Sequence, residues 1–390
     1  MRLRSERIVT PSGVLAGELV VDGGRISELR PGAAALRSSA LELGDRWLVP
    51  GYIDTHVHGG GGAQCNTADP DEIAAVARFH ARHGTTAMLA TTVAAPLAEL
   101  ERALGAVGRC AHPASRGAQT GGATILGAHL EGPFLSPTRP GAMDPSMFLS
   151  PQAGAVERLL TSAAEAMRMM TLAPELPGAL ELIRALAGAG ATVSLGHSDA
   201  TYAQARAAVD AGARAATHLF NGMRPFHHRE PGVIGAALDL PEVSCEVICD
   251  GVHVAPVALR VVARAKGAAG IRLVTDAIEA AGMPDGSYRL GAAKVEVSGG
   301  VAILPNADSI AGSTLTMDAA VRHAVEFLDL PVPEAIAMAS GNPARLLGIG
   351  GRKGAIAAGM DADLVILDDG LRCRATIVAG EWIEAPPRGA

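Results

Sequence analysis

The sequence has no uninterrupted apolar run of 18 residues, so no segment of it reads as a membrane span. Aromatic residues make up only 3% of its 390 positions, while the hydrophobic fraction reaches 48%. The core therefore has to be built from small and branched aliphatic side chains, which suits strands covered by Ala-rich helices. No block of Lys or Arg occurs and the formal net charge is -7. Nucleic-acid and anionic-membrane surfaces rest on clustered cations, so neither is expected, and an anionic substrate would need a local cationic pocket. The five cysteines, Cys65, Cys110, Cys245, Cys249 and Cys373, are odd in number and scattered, with no C-x-x-C pair. That pattern implies free thiols in a reducing compartment. The opening MRLRSERIVT lacks the apolar stretch of a secretory signal, so the cytoplasm is the expected location. A G-x-x-x-x-G-K-[ST] phosphate loop, low-complexity linkers and internal repeats are also missing.

Two textures are present. Both ends read as short strands punctuated by glycine: ERIVT and GELVVDGGRISELR at the start, GAIAAGMDADLVILDDG and RATIVAGEWIE near the end. These sets are expected to pair into a small β-sandwich domain of residues 1–49 and 347–390. Residues 50–346 instead alternate a short apolar run with a stretch of helical periodicity. Eight such runs end in GYIDTHVH, AMLATTV, ILGAHLEGP, MMTLAPE, TVSLGHS, AATHLFN, CEVICDGVH and IRLVTDA. Eight βα units predict an α/β fold of the (β/α)8 TIM-like barrel type. SYRLGAAKVEVSGGVAILPNADS reads as a β-hairpin inserted before the last helix.

In a parallel barrel the active site lies at the C-terminal ends of the strands, and ligand-type residues fall there. His56 and His58 close the first run, Glu131 the third, His197 the fifth, His218 the sixth and Asp276 the eighth. Residues i and i+2 of a strand share a face, so His56 and His58 aim at one point. Imidazole and carboxylate without cysteine suit a divalent metal: Zn²⁺ first, with Fe²⁺, Mn²⁺ or Co²⁺ also compatible. An open hydrolytic site uses about three protein ligands, so six candidates are compatible with one ion or two. In the two-ion arrangement Glu131 bridges, with His56, His58 and Asp276 near one ion and His197 and His218 near the other. His-x-His alone is common by chance, and a lone His197 or His218 would more often be a hydrogen-bonded core group. Position at five strand ends favours the metal reading. His80, His83, His112 and His323 fall away from strand ends and read as structural or surface groups, MRMM as core, and Cys65 as a free thiol.

With those residues in place the chain resembles the amidohydrolase superfamily, and within it the N-acetylglucosamine-6-phosphate deacetylases. The resemblance rests on PGYIDTHVHGGGG, HLEGPF, SLGHSDAT, THLFNGMRPFHHREPG, DGVHV, LVTDAIEAAGMPDG and SGNPARLLG, in the family's order and over nearly the whole chain. It implies that Glu131, His197 and His218 are the principal metal ligands. It makes His56 and His58 an additional pair that only some members carry. Asp276 matches the acid/base, Asn221 and His253 match substrate contacts, and Arg229 matches an arginine reaching the sugar phosphate across a homodimer interface. One departure stands out: where the family has a histidine that helps polarise the scissile carbonyl, RPGAMDP places Met143 at this substrate-binding position. A thioether donates no hydrogen bond. His227 or His228 could stand in for it.

The implied reaction is hydrolysis of N-acetylglucosamine-6-phosphate to glucosamine-6-phosphate and acetate, in amino-sugar catabolism and cell-wall recycling. Asp276 would serve both proton transfers, with the alternative that it is only a ligand or strand-end cap. Phosphate recognition falls to backbone amides, Arg229, His253 and the further candidates Arg224 and Arg139. Three rival readings remain. The substrate could be N-acetylgalactosamine-6-phosphate, or a cyclic amide or ureide, although the fourth run ends in APE and not in a carboxylatable lysine. The third is a catalytically weak ligand-binding barrel.

Overall fold

The computed structural model describes residues 1–32, 40–111, 121–163, 166–305 and 309–384. His112 lies outside them.

All eight apolar runs form strands: Tyr52–Val57, Thr85–Thr92, Thr124–Glu131, Met167–Leu172, Thr192–Leu195, Ala215–Ala216, Ser244–Ile248 and Ile271–Val274. Each pairs in parallel with the next, in chain order. The first and eighth meet just beyond their C-terminal ends, where Asp276 N donates to His56 O and His58 N donates to Ala277 O, at 2.9 and 2.8 Å. This seam carries three of the six candidate ligands. The intervening helices begin and end on local chemistry. In Pro70–Ala81, Asp69 caps the N-terminus by accepting from Asp71 N, and Pro70 occupies the first turn, where no donor is needed. In Tyr202–Ala211, Thr201 and Gln204 form a reciprocal capping box and Gly212 follows the last turn.

The terminal strands form one eight-stranded sheet. Trp47–Pro50 joins the N-terminal set to the C-terminal set by pairing antiparallel with Leu364–Leu367. The Asp22-Gly23-Gly24-Arg25 turn needs both glycines, which sit at φ +54° and +76°. A Cβ at Gly24 would also meet Ala379 O at 2.8 Å. The sheet has its own core, including Leu3, Ile8, Leu19, Ile26, Leu48 and Leu364.

Two features depart from expectation. The inserted segment is a three-stranded antiparallel sheet, Gly286–Leu290, Ala293–Ser298 and Val301–Ile303, and not a simple hairpin. Gly299 and Gly300, at φ +57° and +77°, make a second tight turn that adds a strand. The barrel interior is also more polar than the branched aliphatic layers usual for the architecture. Thr171, Ser194 and Thr217 hydroxyls chain together at 2.6–2.7 Å, and His129 is fixed between Thr171 Oγ1 and Thr55 O. Among the described residues no helix is long and apolar enough to cross a membrane.

Candidate metal centre and active site

The six strand-end residues converge. His56, His58 and Asp276 form one group and Glu131, His197 and His218 another, all buried. Glu131 faces both: Oε1 lies 3.0 Å from His197 Nε2 and 2.8 Å from His218 Nε2, while Oε2 lies 3.3 Å from His58 Nε2 and 3.6 Å from His56 Nε2. Asp276 Oδ1 closes the first group at 3.1 Å from His58 and 3.4 Å from His56. Ligands at 2.0–2.1 Å around a tetrahedral ion stand roughly 3.3 Å from one another, so these separations leave the donors able to share a cation. His197, His218 and Asp276 hold φ of +46°, +28° and +50°, a region non-glycine residues rarely occupy. Such strain concentrates at functional sites.

The hydrogen bonds on the far side of each ring say which nitrogen faces the centre. Nδ1 of His56 donates to Glu246 Oε1 at 2.6 Å, and that of His58 to Thr91 O at 3.3 Å. Nδ1 of His197 donates to Arg139 O at 2.9 Å, and that of His218 to Asn221 O at 3.1 Å. In the neutral ring each Nε2 then carries a lone pair. His56 and His58 present theirs to one another at 3.0 Å, and His197 and His218 at 3.1 Å. Two lone pairs at that distance repel unless a proton or metal ion lies between them. The donor set fits two divalent cations, one per group, with the Glu131 carboxylate spanning them.

The field at the mouth is that of a cation site. Burial pushes the Glu131 carboxyl up, but His56 and His197 outweigh it and hold it well below the usual range. Burial likewise raises Asp276, and His56 and His58 bring it down to about 2. Burial would strip a proton from His58 and His197, yet Asp276 and Glu131 for the first, and Glu131 for the second, raise both. These carboxylates favour the protonated forms of His58 and His197. A divalent cation answers the same field and releases those protons.

The remaining candidates are dispersed around this centre. Asn221 supports His218 through its backbone, and its Nδ2 donates to the His218 and Leu219 carbonyls. His253 is nearly enclosed, with 6% of its side chain exposed; Nδ1 donates to Asp250 Oδ2 at 2.6 Å, which leaves Nε2 to face outward from that pair. Burial lowers its pKa, but Asp250 raises it overall. Arg229 is exposed, bonded to His228, and meets none of the six donors. His227 and His228 are exposed, with ring centroids 4.3 Å apart and planes tilted by 38°. Met143 is half-buried against the apolar cluster of Val93, Ile278 and Leu290. Arg139 and Arg224 both bind the Asp199 carboxylate, which ties the loops after the third, fifth and sixth strands together. His80 is buried on Gly59 O, His83 pairs with Asp318, and His323 binds Cys249 O, all away from the centre.

Glu246, Arg272, Asp54 and His129 were not singled out by strand-end position. Each sits inside a strand and is fully buried, and Glu246, Asp54 and His129 each touch His56. Burial pushes Asp54 up to about 7 against the pull of Thr275, whose hydroxyl it accepts at 2.5 Å across the seam. The signal available was a charge or imidazole in the middle of an apolar run, as in CEVI, IRLV, YIDTHV and GAHLE.

Two glycines press on His197 from opposite loops. A Cβ at Gly222, where φ is +59°, would lie 2.8 Å from His197 Nδ1, and one at Gly141 would lie 2.9 Å from Cε1. Gly222→Ala is expected to turn the ring and weaken metal binding about 10- to 100-fold, as loss of a ligand-orienting contact does. Chelator competition with metal counting checks it; wild-type affinity would show that the ring tolerates the methyl group.

A cavity of about 1250 Å³ is separate from this site. It lies at the opposite end of the barrel, lined by Thr124, Arg168 and Thr192 near strand starts and by Gly24 and Arg352, and contains none of the six donors.

The N-acetylgalactosamine-6-phosphate deacetylase of Escherichia coli O157:H7 is 41% identical over 380 residues, 97% of this chain and 98% of that one. The N-acetylglucosamine-6-phosphate deacetylase of Vibrio furnissii is 39% identical over 364 residues, 93% and 90% of the two chains. A crystallised variant of the N-acetyl-D-glucosamine-6-phosphate deacetylase from Mycobacterium smegmatis, in complex with N-acetyl-D-glucosamine-6-phosphate, superposes with a TM-score of 0.92 at 40% identity, covering 98% of this chain and 99% of that one. The amidohydrolase family model matches residues 47–383, and the chain belongs to the amidohydrolase family.

Proposed function

We propose that this chain is a metal-dependent deacetylase that hydrolyses N-acetylglucosamine-6-phosphate to glucosamine-6-phosphate and acetate. The observation that carries the reading is the shared Glu131 carboxylate between two three-residue donor groups at the barrel mouth. It is supported by relatives that carry this activity in their names at about 40% identity over nearly the full chain. His56, His58 and Asp276 would hold one ion and His197 and His218 the other, with Glu131 common to both; Zn²⁺ suits these donors best, and Fe²⁺, Mn²⁺ or Co²⁺ also fit. When bound, such ions polarise a carbonyl oxygen and acidify water.

The chain's own groups do the rest. Asp276 is held ionised at the end of the eighth strand, so its carboxylate accepts the proton of the attacking water. The acetamide C–N bond then breaks as Asp276 returns that proton to the sugar nitrogen, and the acetyl group leaves as acetate. Met143 contributes no hydrogen bond to the carbonyl oxygen.

Phosphate recognition falls to His253, whose protonated form Asp250 favours, and to Arg229 of a second copy in a homodimer. Arg139 and Arg224 are already engaged by Asp199. Arg229→Ala should raise KM for the phosphorylated sugar about 10- to 100-fold, the loss of one charge-assisted contact, with kcat and the KM of the unphosphorylated sugar little changed. Steady-state kinetics on both sugars check this, and equal effects on the two would remove Arg229 from phosphate binding.

A second substrate reading has its own support, because the Escherichia coli O157:H7 relative is named for N-acetylgalactosamine-6-phosphate. Acetate release measured side by side on the two epimers decides: a larger kcat/KM for the gluco sugar is expected, and preference for the galacto sugar would overturn the assignment.

A further inference from the structure

The four imidazoles at the mouth are not held alike. His58, His197 and His218 donate Nδ1–H to neutral backbone carbonyls, whereas His56 donates to a carboxylate, Glu246 Oε1, at 2.6 Å. Both side chains of that pair are 0% exposed. Glu246 comes from the seventh strand, which supplies no member of either donor group.

Its second oxygen lies 3.4 Å from Arg272 Nη2, so its closest partner is the histidine and not the arginine. Arg272 is itself locked, with Nη1 on Thr55 Oγ1 at 2.8 Å and Nε on Ser244 Oγ at 3.0 Å. A fully buried ion pair is a poor device for stability alone, since its desolvation can exceed its attraction and apolar residues of similar volume often serve as well. The pair sits where it acts on one ligand only. A carboxylate on the Nδ1 side of a metal-binding histidine fixes the tautomer and makes Nε2 a stronger donor.

We propose that Glu246, held in place by Arg272, is a positioning residue that selectively tightens the ion bound by His56, His58 and Asp276 and so sets whether the chain works with two ions. The inference rests on the two-ion reading of the site. Glu246→Gln keeps an acceptor at the same distance from His56 and removes the charge. Because that change leaves Arg272 buried without an anionic partner, the double variant Glu246→Gln/Arg272→Met removes both charges and guards against a simple folding failure.

The test is Zn²⁺ titration of metal-stripped protein against a competing chelator, with bound zinc counted per chain and the apo-proteins compared by thermal unfolding. Wild type should bind two ions. In both variants one ion should keep its affinity while the other weakens about 10- to 100-fold. Loss of both ions in parallel would assign Glu246 a merely structural role, and unchanged affinity for both ions would overturn the proposal outright. A wild-type protein that binds a single ion would instead fail the two-ion reading, and the inference with it, before any variant is compared.

Discussion

Asp276→Asn should lower kcat by about 10²- to 10⁴-fold, the usual contribution of a positioned acid/base, with KM changed much less. The carboxylate is ionised because His56 and His58 more than offset its burial, and its backbone is held at φ +50° by the seam to the first strand and by Ser313 N, which donates to Asp276 O at 2.7 Å. Asparagine has nearly the same shape and retains one oxygen toward His58, but it neither accepts the water's proton nor returns it to the amine. The measurement is steady-state turnover with bound metal counted on the same sample. A fully metallated variant that turned over at near wild-type rate would reduce Asp276 to a ligand or a cap.

Glu131→Gln should affect the site more broadly. One carboxylate serves both donor groups, Oε1 toward His197 and His218 and Oε2 toward His56 and His58. On the proposed two-ion reading, replacing it removes an anionic share from each ion at once, so both affinities should fall by more than the ~10–100-fold typical of a supporting residue, and deacetylation should drop to background. Titration with chelator competition separates this from the Glu246 variants, in which one ion alone is loosened. If Glu131→Gln retained two ions at wild-type affinity, the carboxylate would not bridge.

The architecture and the convergence of the six donors were legible because each barrel strand is an apolar run that ends abruptly in a polar residue, and a parallel barrel collects those ends at one mouth. The terminal sheet was legible through its turns, of which Asp22-Gly23-Gly24 is the clearest. What lay beneath the mouth was harder to see. Glu246, Arg272, Asp54 and His129 stand within runs that also read as plain core strands, and a linear pattern does not say which alternate residues line a closed interior. The third strand of the insert is hard to read from the sequence because Val301–Ile303 is only three residues long and its existence depends on the Gly299-Gly300 turn. The Asp199 pairing of Arg139 and Arg224 was not legible, because Asp199 is distant in sequence from both loops.

The most direct check of the account is acetate release from N-acetylglucosamine-6-phosphate by the chain stripped of metal, followed by stepwise return of Zn²⁺ with bound metal counted. The account predicts no turnover in the stripped protein and recovery of activity as the mouth of the barrel fills. Undiminished acetate release from protein shown to carry no metal would contradict it.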